Sequence, residues 1–342
     1  MKNWRTSCIR QTSKHPGLVL LALAALVVLL AGLSLCLGAE KAGPLEALRA
    51  LLAGDVRNPA YRILRYIRLP RTCGALLAGA ALAVSGAIIQ AVLANPLAAP
   101  NIIGVNAGAG LLTALCCALF PAAVGLVPLA AFLGAFCSVG LVLFIAERTG
   151  ASRMTLVLAG VAVSSVFSAG VDAVVTLIPD ALTGYSDFRV GGLTNVPMSR
   201  LIPAAWVILL CLALAMTLHN ELDVLALGAD TARSLGLPVK AVRLGMLALA
   251  AALAGAAVSF SGLLGFVGLI VPHIMRRLVG GESGRLLPAA ALGGAALLTG
   301  CDLLARVLFA PYELPVGIVL SFVGGPFFIW LLLRQRGGRI HD

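Results

Sequence analysis

The amino-acid sequence predicts an all-α polytopic membrane protein whose chain crosses the bilayer about ten times. Its 342 residues are 60% hydrophobic and only 11% charged, with a mean hydropathy of +1.03, whereas soluble domains carry roughly 25% charged residues. The hydrophobic residues also form long runs without a charge, and residues 72–146 are far too long for a single crossing. A soluble domain is therefore excluded, and no nucleic-acid partner is expected.

The charge-free runs set the number and the positions of the spans. Residues 72–146 need three crossings, divided at Asn95–Asn101 and Pro121–Pro128, and residues 244–275 need two, divided at Ser259–Gly262. The predicted spans are 17–38, 72–94, 102–120, 126–146, 154–178, 201–219, 243–260, 263–279, 286–307 and 314–333.

These spans are expected to form one transmembrane domain, residues 17–335, between short tails at 1–16 and 336–342. Residues 17–38 exceed the 7–15 apolar residues of a signal peptide, so they are predicted to be a retained span.

An even number of spans places both termini on one side. Assigning that side to the cytoplasm puts most of the 25 Lys and Arg residues inside, as the positive-inside rule requires. The chain is expected in the plasma (inner) membrane.

The second predicted span has one face without bulk and ends at a sharp break. Small residues recur at every fourth position of this helix, at Ala75, Gly79, Ala83 and Ala87. Such a stripe lets helices pack closely in lipid, and it is also common in any tightly packed span. Asn95-Pro96-Leu97 ends the helix, because proline cannot continue the hydrogen-bond ladder. A Gly- and Asn-rich entry at residues 104–110 opens the next span, which places this stretch at the centre of the bundle.

Basic residues concentrate in residues 39–71, on the side expected to be extracytoplasmic. They are Lys41, Arg49, Arg57, Arg62, Arg65, Arg68 and Arg71. A docking surface for an acidic external partner would explain them, and so would a short amphipathic helix near Leu45–Ile67 lying on anionic headgroups. Both hypotheses stay open for the loop as a whole. For Arg68 and Arg71, which flank Leu-Pro at a helix mouth, docking is favoured.

Residues 222–238, on the cytoplasmic side, are predicted to contain an isolated helix of one to two turns. Gly228 interrupts the backbone, and Gly236 followed by Pro238 is the usual arrangement at a helix end. A helix of this length is not stable alone, so either the spans or another protein must hold it. A simple connecting turn is the alternative.

Few charged or titratable residues lie inside the spans. A carboxylate at Asp172 costs roughly 2.5–3.5 kcal/mol in lipid, so Asp172 either faces a polar bundle interior or serves as a proton or ion site. Asp302 and Arg306 are four residues apart on one helix face and are expected to pair. His273 is interpreted as a packing residue, because no second ligand stands at metal spacing beside it.

The sequence lacks the signatures of nucleotide and metal chemistry. It contains no G-x-x-x-x-G-K-[ST], H-E-x-x-H or G-x-S-x-G motif, and its 8 cysteines include no C-x-x-C pair. We therefore expect no bound cofactor, no metal site and no enzymatic activity in this chain.

Several motifs in fixed order, covering residues 17–335, resemble the permease subunits of iron-siderophore, haem and vitamin B12 importers, the FecCD type of ABC transporter. They are R-L-P-R at 68–71, G-A-A-L-A-V-S-G-A at 79–87, N-P-L-A-A-P at 95–100, G-V-N-A-G-A at 104–109, L-A-G-V-A at 158–162, L-A-L-G-A-D-T-A-R-S-L-G-L at 225–237, G-F-V-G-L-I-V-P-H-I at 265–274, D-L-L-A-R at 302–306, E-L-P-V-G at 313–317 and G-G-P-F-F-I-W-L-L-L at 324–333.

The resemblance implies a type II ABC importer permease of ten spans. Its expected partners are a second permease copy in a homodimer, two cytoplasmic ATPase subunits that carry ATP and Mg²⁺, an extracytoplasmic substrate-binding protein and the lipid bilayer. The implied substrate is a metal chelate, with iron-siderophore first and haem or cobalamin next.

The resemblance also assigns three groups of residues. The arginines implied to meet glutamates of the binding protein are Arg68, Arg71 and Arg306. The residues implied to couple to the ATPase are Gly228, Ala229, Asp230, Ala232, Leu235 and Gly236. The candidate pathway and gate residues are Ala83, Ala87, Asn95, Pro96, Leu97, Gly104 and Asn106, with a second gate segment near 149–153. The run Phe188–Gly192 departs from the family pattern, so no substrate contact is assigned to that loop.

Two other hypotheses remain. An ion-coupled secondary transporter would use Asp172 and Asp302 as carboxylate sites. A structural membrane scaffold would use Arg68 and Arg71 to bind lipid.

Overall fold

The computed structural model describes residues 16–38, 57–149, 153–194 and 196–336. All regular elements in these ranges are helical, in agreement with the predicted all-α class. The N-terminal tail, most of the basic loop and the middle of the 149–153 connection lie outside the described residues, so predictions that fall on them are not addressed.

The described helices are numbered in chain order. They are α1 Pro16–Cys36, α2 Pro59–Val92, α3 Val105–Leu119, α4 Val127–Arg148, α5 Arg153–Leu177, α6 Ala181–Val190, α7 Met198–Thr217, α8 His219–Ala226, α9 Ala229–Ser234, α10 Val239–Ser261, α11 Val267–Val279, α12 Ser283–Val307 and α13 Val316–Arg336. Ten of the described helices lie at the predicted spans; α9 is the short helix predicted within 222–238, and α6 and α8 were not predicted.

Among the described residues, 8 helices are long and apolar enough to cross a membrane. The spans predicted at 102–120 and 263–279 are shorter than expected, because each begins late. A 3₁₀ turn at Pro100–Ile103 and a left-handed Gly104 precede α3. The backbone before α11 has positive φ at Gly262 and at Phe266. With only 13 residues, α11 extends about 20 Å at 1.5 Å per residue, too little to cross a ~30 Å hydrocarbon core alone.

The second span begins earlier than predicted, which corrects the expected helix mouth at Pro70. The helix starts at Pro59, where the Asn58 side chain accepts a hydrogen bond from the Ala60 backbone N–H at 2.8 Å. It passes through a π-helical turn, Ile63–Arg68, and continues without interruption into the span. Pro70 has no backbone N–H to donate, and the π-helical turn lies directly before it, where the hydrogen-bond pattern of the helix changes.

The core of the bundle forms around α2. The membrane-spanning part of α2 is the most buried of the candidate spans, and it packs against α10, α11 and α12. One glycine of the predicted small-residue stripe, Gly79, and one glycine outside it, Gly86, are used for this packing. A Cβ added at Gly79 would overlap the Gly294 carbonyl of α12, and a Cβ added at Gly86 would overlap the Gly268 carbonyl of α11. Glycine therefore sets the distance between these helices.

Replacing Gly86 by alanine is expected to lower the stability of the folded chain by roughly 1–3 kcal/mol, because α11 must move away from α2. The matched control is Gly245→Ala in α10, where an added Cβ meets no atom within 4 Å. There the better helix propensity should stabilise the chain by roughly 0.5–1 kcal/mol. Thermal unfolding in detergent measures both changes. Equal midpoints for the two variants would contradict the proposed packing role of Gly86.

Two ends of the bundle contain most of the predicted site residues. The arginine end contains Arg68, Arg71 and Arg306. The α9 end contains α8, α9 and the break between α2 and α3. The helices α2 and α12 run antiparallel and connect the two ends.

Candidate functional site

Five charged side chains meet at the arginine end and are called the arginine cluster: Arg68, Arg71, Asp302, Arg306 and Glu313. Arg71 Nε donates to both Asp302 carboxylate oxygens, at 3.0 and 3.1 Å, and Arg71 Nη1 donates to Glu313 Oε2. Arg306 Nε lies 3.2 Å from Asp302 Oδ2, an ion pair that lacks hydrogen-bond geometry. The predicted pairing of Asp302 with Arg306 is therefore confirmed, and Arg71 joins it.

The arginine cluster also holds the C-terminal end of α1. Arg68 Nη1 donates to the carbonyls of Leu35 and Cys36 at 3.0 and 2.8 Å. Arg306 Nη2 donates to Ser34 Oγ at 2.6 Å. The last carbonyls of a helix have no partner within it, and the helix dipole favours cations there. These two arginines thus stabilise the end of α1.

The three arginines predicted to dock a partner are buried. Arg68, Arg71 and Arg306 are only 3%, 4% and 2% exposed. A cavity of about 210 Å³ lies beside them and is also lined by Glu313. Arg71 Nη2 is buried and has no hydrogen-bond partner among the described residues. The arginines line this cavity, and their role in docking stays a prediction.

The basic segment before the cluster is the exposed part of the arginine end. Arg57, Arg62, Arg65 and Tyr66 are exposed, whereas Leu64 packs against Leu35 of α1. Sequence reasoning singled out the two arginines that flank Leu-Pro, and these are the ones that turn inward. The described part of this loop is helical and forms the start of α2, and both hypotheses for the loop stay predictions.

The predicted helix in residues 222–238 is confirmed as α9, six residues long. Gly228 and Gly236 bound it with φ values of 116° and 83°, which glycine adopts without strain. Ala232 is 0% exposed and anchors the helix, whereas Leu235 is 63% exposed. The exposed Asp230 accepts a hydrogen bond from Arg233 at 3.1 Å. Thus α9 projects an exposed apolar residue from one end of the bundle.

The break between α2 and α3 is a compact turn at the same end. Ala94 has a positive φ of 45°, and Asn95 Oδ1 accepts a hydrogen bond from the Leu97 N–H at 3.0 Å. This Asx turn changes the direction of the chain at Pro96, which has no backbone N–H to donate to a helix. Gln90, one turn before the break, accepts from Arg276 of α11 at 2.6 Å, which ties the break to α11.

A polar groove of about 670 Å³ runs between α3, α5 and α6. Along α5 its polar residues stand at every fourth position and so share one helix face. Its polar lining includes Asn106, Ser164, Ser168, Asp172, Thr176 and Arg189. Tyr185 of α6 also lines it, and burial raises the pKa of that phenol above its ordinary value. Asp172 is exposed within this groove.

The other predicted pathway residues differ in exposure. Ala83 and Ala87 are 0% and 1% exposed and belong to the packed core. Gly104 is buried, and a Cβ there would crowd Ser138 Oγ. Asn106 is the pathway residue of this set that lines the polar groove. The pathway roles of the three buried residues stay predictions.

No group of His, Cys, Asp and Glu in the described part of the chain is arranged to hold a metal ion. His273 packs edge-on against Phe327, with ring centroids 6.1 Å apart. This contact agrees with its interpretation as a packing residue.

The comparisons with known proteins agree with the fold. The chain is 39% identical to the hemin transport system permease protein HmuU of Yersinia pestis, over 95% of this chain and 98% of that protein. It is 38% identical to the iron(3+)-hydroxamate import system permease protein FhuB of Bacillus subtilis, over 98% of this chain and 89% of that protein.

A solved structure of a metal-chelate type ABC transporter in an inward-facing conformation superposes with a TM-score of 0.81 at 28% identity, covering 92% of this chain and 99% of that one. The predicted ABC importer permease architecture is confirmed by this likeness. The model of the FecCD transport family matches residues 25–334. The chain therefore belongs to the FecCD transport family.

Proposed function

We propose that this chain is the membrane-spanning permease of an ATP-driven, binding-protein-dependent importer of metal chelates, with iron-siderophore as the first expected substrate and haem or cobalamin next. Two copies would form the pathway, and two separate ATPase subunits with ATP and Mg²⁺ would drive it. Both termini and the α9 end would lie in the cytoplasm. The arginine end would face an extracytoplasmic binding protein.

The observation that carries this proposal is the short helix α9. It is too short to be stable alone, yet the bundle holds it through the buried Ala232 and leaves Leu235 exposed. The sequence has no phosphate-binding motif of its own. A chain without a nucleotide site, but with an exposed apolar residue on a fixed helix, fits a subunit that receives motion from an ATPase.

The polar groove supports a transport pathway. An exposed carboxylate on a spanning helix is costly against lipid, so the Asp172 face of α5 should meet water or a second chain. A groove with hydroxyl, amide and charged groups offers a chelate several weak contacts and no single strong site. We propose that this face lines the route between two copies.

The arginine cluster supports docking of an acidic partner. Its three arginines outnumber its two carboxylates, and Glu313 is the exposed member, with 30% of its side chain accessible. A carboxylate of the binding protein that entered the cavity would compete with Glu313 for Arg71. Arg68 and Arg306 would then act mainly by holding α1 and the cavity wall in place.

The ion-coupled alternative requires two carboxylates that bind ions, and the surroundings of one of them do not suit that role. Asp302 is 0% exposed, accepts hydrogen bonds from Arg71 and forms an ion pair with Arg306, so it is not placed to bind and release an ion. Asp172 remains, because it is exposed in the groove.

The test of the proposed function is chelate uptake by cells that carry the chain together with its co-encoded ATPase and binding protein. Hemin, ferric citrate and a ferric hydroxamate, each with radioactive iron, form the panel. We expect uptake of at least one chelate to stop when ATP is depleted and to persist when an uncoupler removes the ion gradients. Uptake that follows the gradients while ATP stays high would contradict the proposal.

Asp172→Asn separates the two mechanisms at residue level. In an ATP-driven pathway the amide keeps the groove polar, and uptake should stay within about twofold of wild type, a change below about 0.5 kcal/mol in the barrier. The control is Asp180→Asn, an exposed carboxylate outside the groove lining. Loss of uptake in Asp172→Asn alone would favour a proton or ion site at this residue.

A further inference from the structure

A side chain of α8 caps the N-terminus of α12. Asp223 Oδ1 accepts hydrogen bonds from the Ser283 backbone N–H at 2.9 Å and from Ser283 Oγ at 2.7 Å. Asp223 Oδ2 accepts from the same N–H at 3.2 Å. The two residues are 60 positions apart. This contact therefore joins two elements that the chain itself does not connect directly.

The cap is supplied by α8 because α12 does not supply its own. The first N–H groups of a helix need an outside acceptor, and the helix dipole favours a carboxylate there. Glu282 occupies the cap position of α12 with extended backbone, but its side chain makes no capping hydrogen bond. Instead Glu282 pairs with Arg285 on the surface, at 3.5 Å.

A second contact fixes the same two helices together. His219, the first residue of α8, packs against Gly284 of α12, where an added Cβ would lie 3.0 Å from the imidazole. Because α8 and α9 are separated only by Leu227 and Gly228, the pair forms one α8–α9 segment, His219–Ser234. The start of α12 is thus attached to the segment that carries the exposed α9.

The other end of α12 holds the arginine cluster. Its 25 residues extend about 37 Å at 1.5 Å per residue, and Asp302 and Arg306 lie near its last turn. The close approach of Gly294 to Gly79 packs α12 tightly on α2, which carries Arg71. One rigid pair of helices therefore connects the α8–α9 segment to the arginine cluster.

We propose that Asp223 is a positioning residue that transmits displacement of the α8–α9 segment to α12, and so couples the α9 end to the arginine end. The inference rests on the proposed function, because it requires an ATPase at α9 and a binding protein at the arginine cluster. It goes beyond that function in assigning the connection to α12 and to the Asp223–Ser283 contact.

The test uses the permease–ATPase complex in proteoliposomes, with the co-encoded binding protein loaded with whichever of hemin, ferric citrate and the ferric hydroxamate is taken up. Two quantities are measured: the thermal midpoint of the complex, and the ratio of ATP hydrolysis with the loaded binding protein to hydrolysis without it. The variants are Asp223→Ala, Glu282→Asp and the double variant Asp223→Ala/Glu282→Asp. Aspartate is a preferred N-cap residue, so Glu282→Asp gives α12 a cap of its own without a link to α8.

We expect Asp223→Ala to lower both the midpoint and the hydrolysis ratio, the ratio by about fivefold to tenfold, at the lower end of typical coupling between sites. Glu282→Asp alone should keep the wild-type ratio. In the double variant the midpoint should return to the wild-type value while the ratio stays low, because the helix is capped but no longer attached to α8.

Recovery of the ratio together with the midpoint in the double variant would overturn the inference, since Asp223 would then be only a cap. A wild-type ratio in Asp223→Ala would overturn it as well. Failure of the proposed function is distinguishable, because in that case the wild-type chain would not copurify with the ATPase, or the loaded binding protein would leave hydrolysis by the wild-type complex unchanged.

Discussion

Replacing Asp302 by alanine is expected to destabilise the folded chain by about 3–5 kcal/mol, the cost of removing one partner from a buried ion pair. Asp302 is 0% exposed and lies between Arg71 and Arg306. Without it, the three buried guanidinium groups of the arginine cluster have only Glu313 to balance them. The measurement is the thermal midpoint in detergent, together with the yield of monodisperse protein.

Two further variants test whether the unpaired buried charge causes this loss of stability. Glu313→Gln should cost less, because that side chain is 30% exposed and Arg71 keeps its bonds to Asp302. The double variant Asp302→Leu/Arg306→Met removes one charge of each sign, leaves Arg71 with Glu313, and should recover part of the lost stability. Wild-type stability in Asp302→Ala would show that the arginine cluster does not stabilise the fold as described.

Replacing Leu235 by aspartate is expected to abolish copurification with the ATPase while the permease itself stays folded. Leu235 is 63% exposed at the end of α9, so an aspartate there costs the isolated chain little. An apolar anchor lost from the centre of an interface costs 2 kcal/mol or more, about 30-fold in affinity. Pull-down of the ATPase by tagged permease measures the effect.

The matched control is Leu119→Asp. Leu119 is also 63% exposed, but it lies at the end of α3, at the arginine end of the bundle. It should bind the ATPase as wild type does. Equal loss of binding in both variants would point to a general effect of the charge, and unchanged binding in Leu235→Asp would remove α9 from the interface.

The fold was predictable from the sequence because its determinants are local. Charge-free runs report which segments avoid water, and they placed most of the spans within a few residues, but they did not indicate the short helices α6 and α8. The ends of α9 were predictable for a similar reason, since Gly228 and Gly236 take the positive φ values that other residues avoid. The two misplaced helix starts, at α2 and α11, depend on a π-helical turn and on left-handed residues that hydropathy does not encode.

The candidate site was less predictable because it depends on contacts between distant parts of the chain. Arg71 and Asp302 are 231 positions apart, and nothing in either local sequence indicates that they bond. The hydrogen bond from Arg68 to the Leu35 carbonyl, which caps α1, also joins residues that are distant in the sequence, 33 positions apart. The resemblance indicated which arginines matter, but only the packing of α1, α2 and α12 shows that they are buried.

The polar groove was partly visible in the sequence. Ser164, Ser168, Asp172 and Thr176 are each four residues apart, a spacing that puts them on one helix face. This periodicity would have favoured a water-facing stripe over a polar bundle interior for Asp172. The contributions of Asn106 and Arg189 depend on how α3 and α6 pack beside α5, and these required the structure.

The central claim is that this chain does not hydrolyse ATP itself, and that a separate ATPase drives its conformational change through contact with α9. The most direct test is uptake of hemin or a ferric chelate into proteoliposomes, with ATP and a proton gradient both supplied. The account predicts accumulation only when the ATPase and the loaded binding protein are present, and none with the purified chain alone. Accumulation by the chain alone, driven by the gradient, would contradict it.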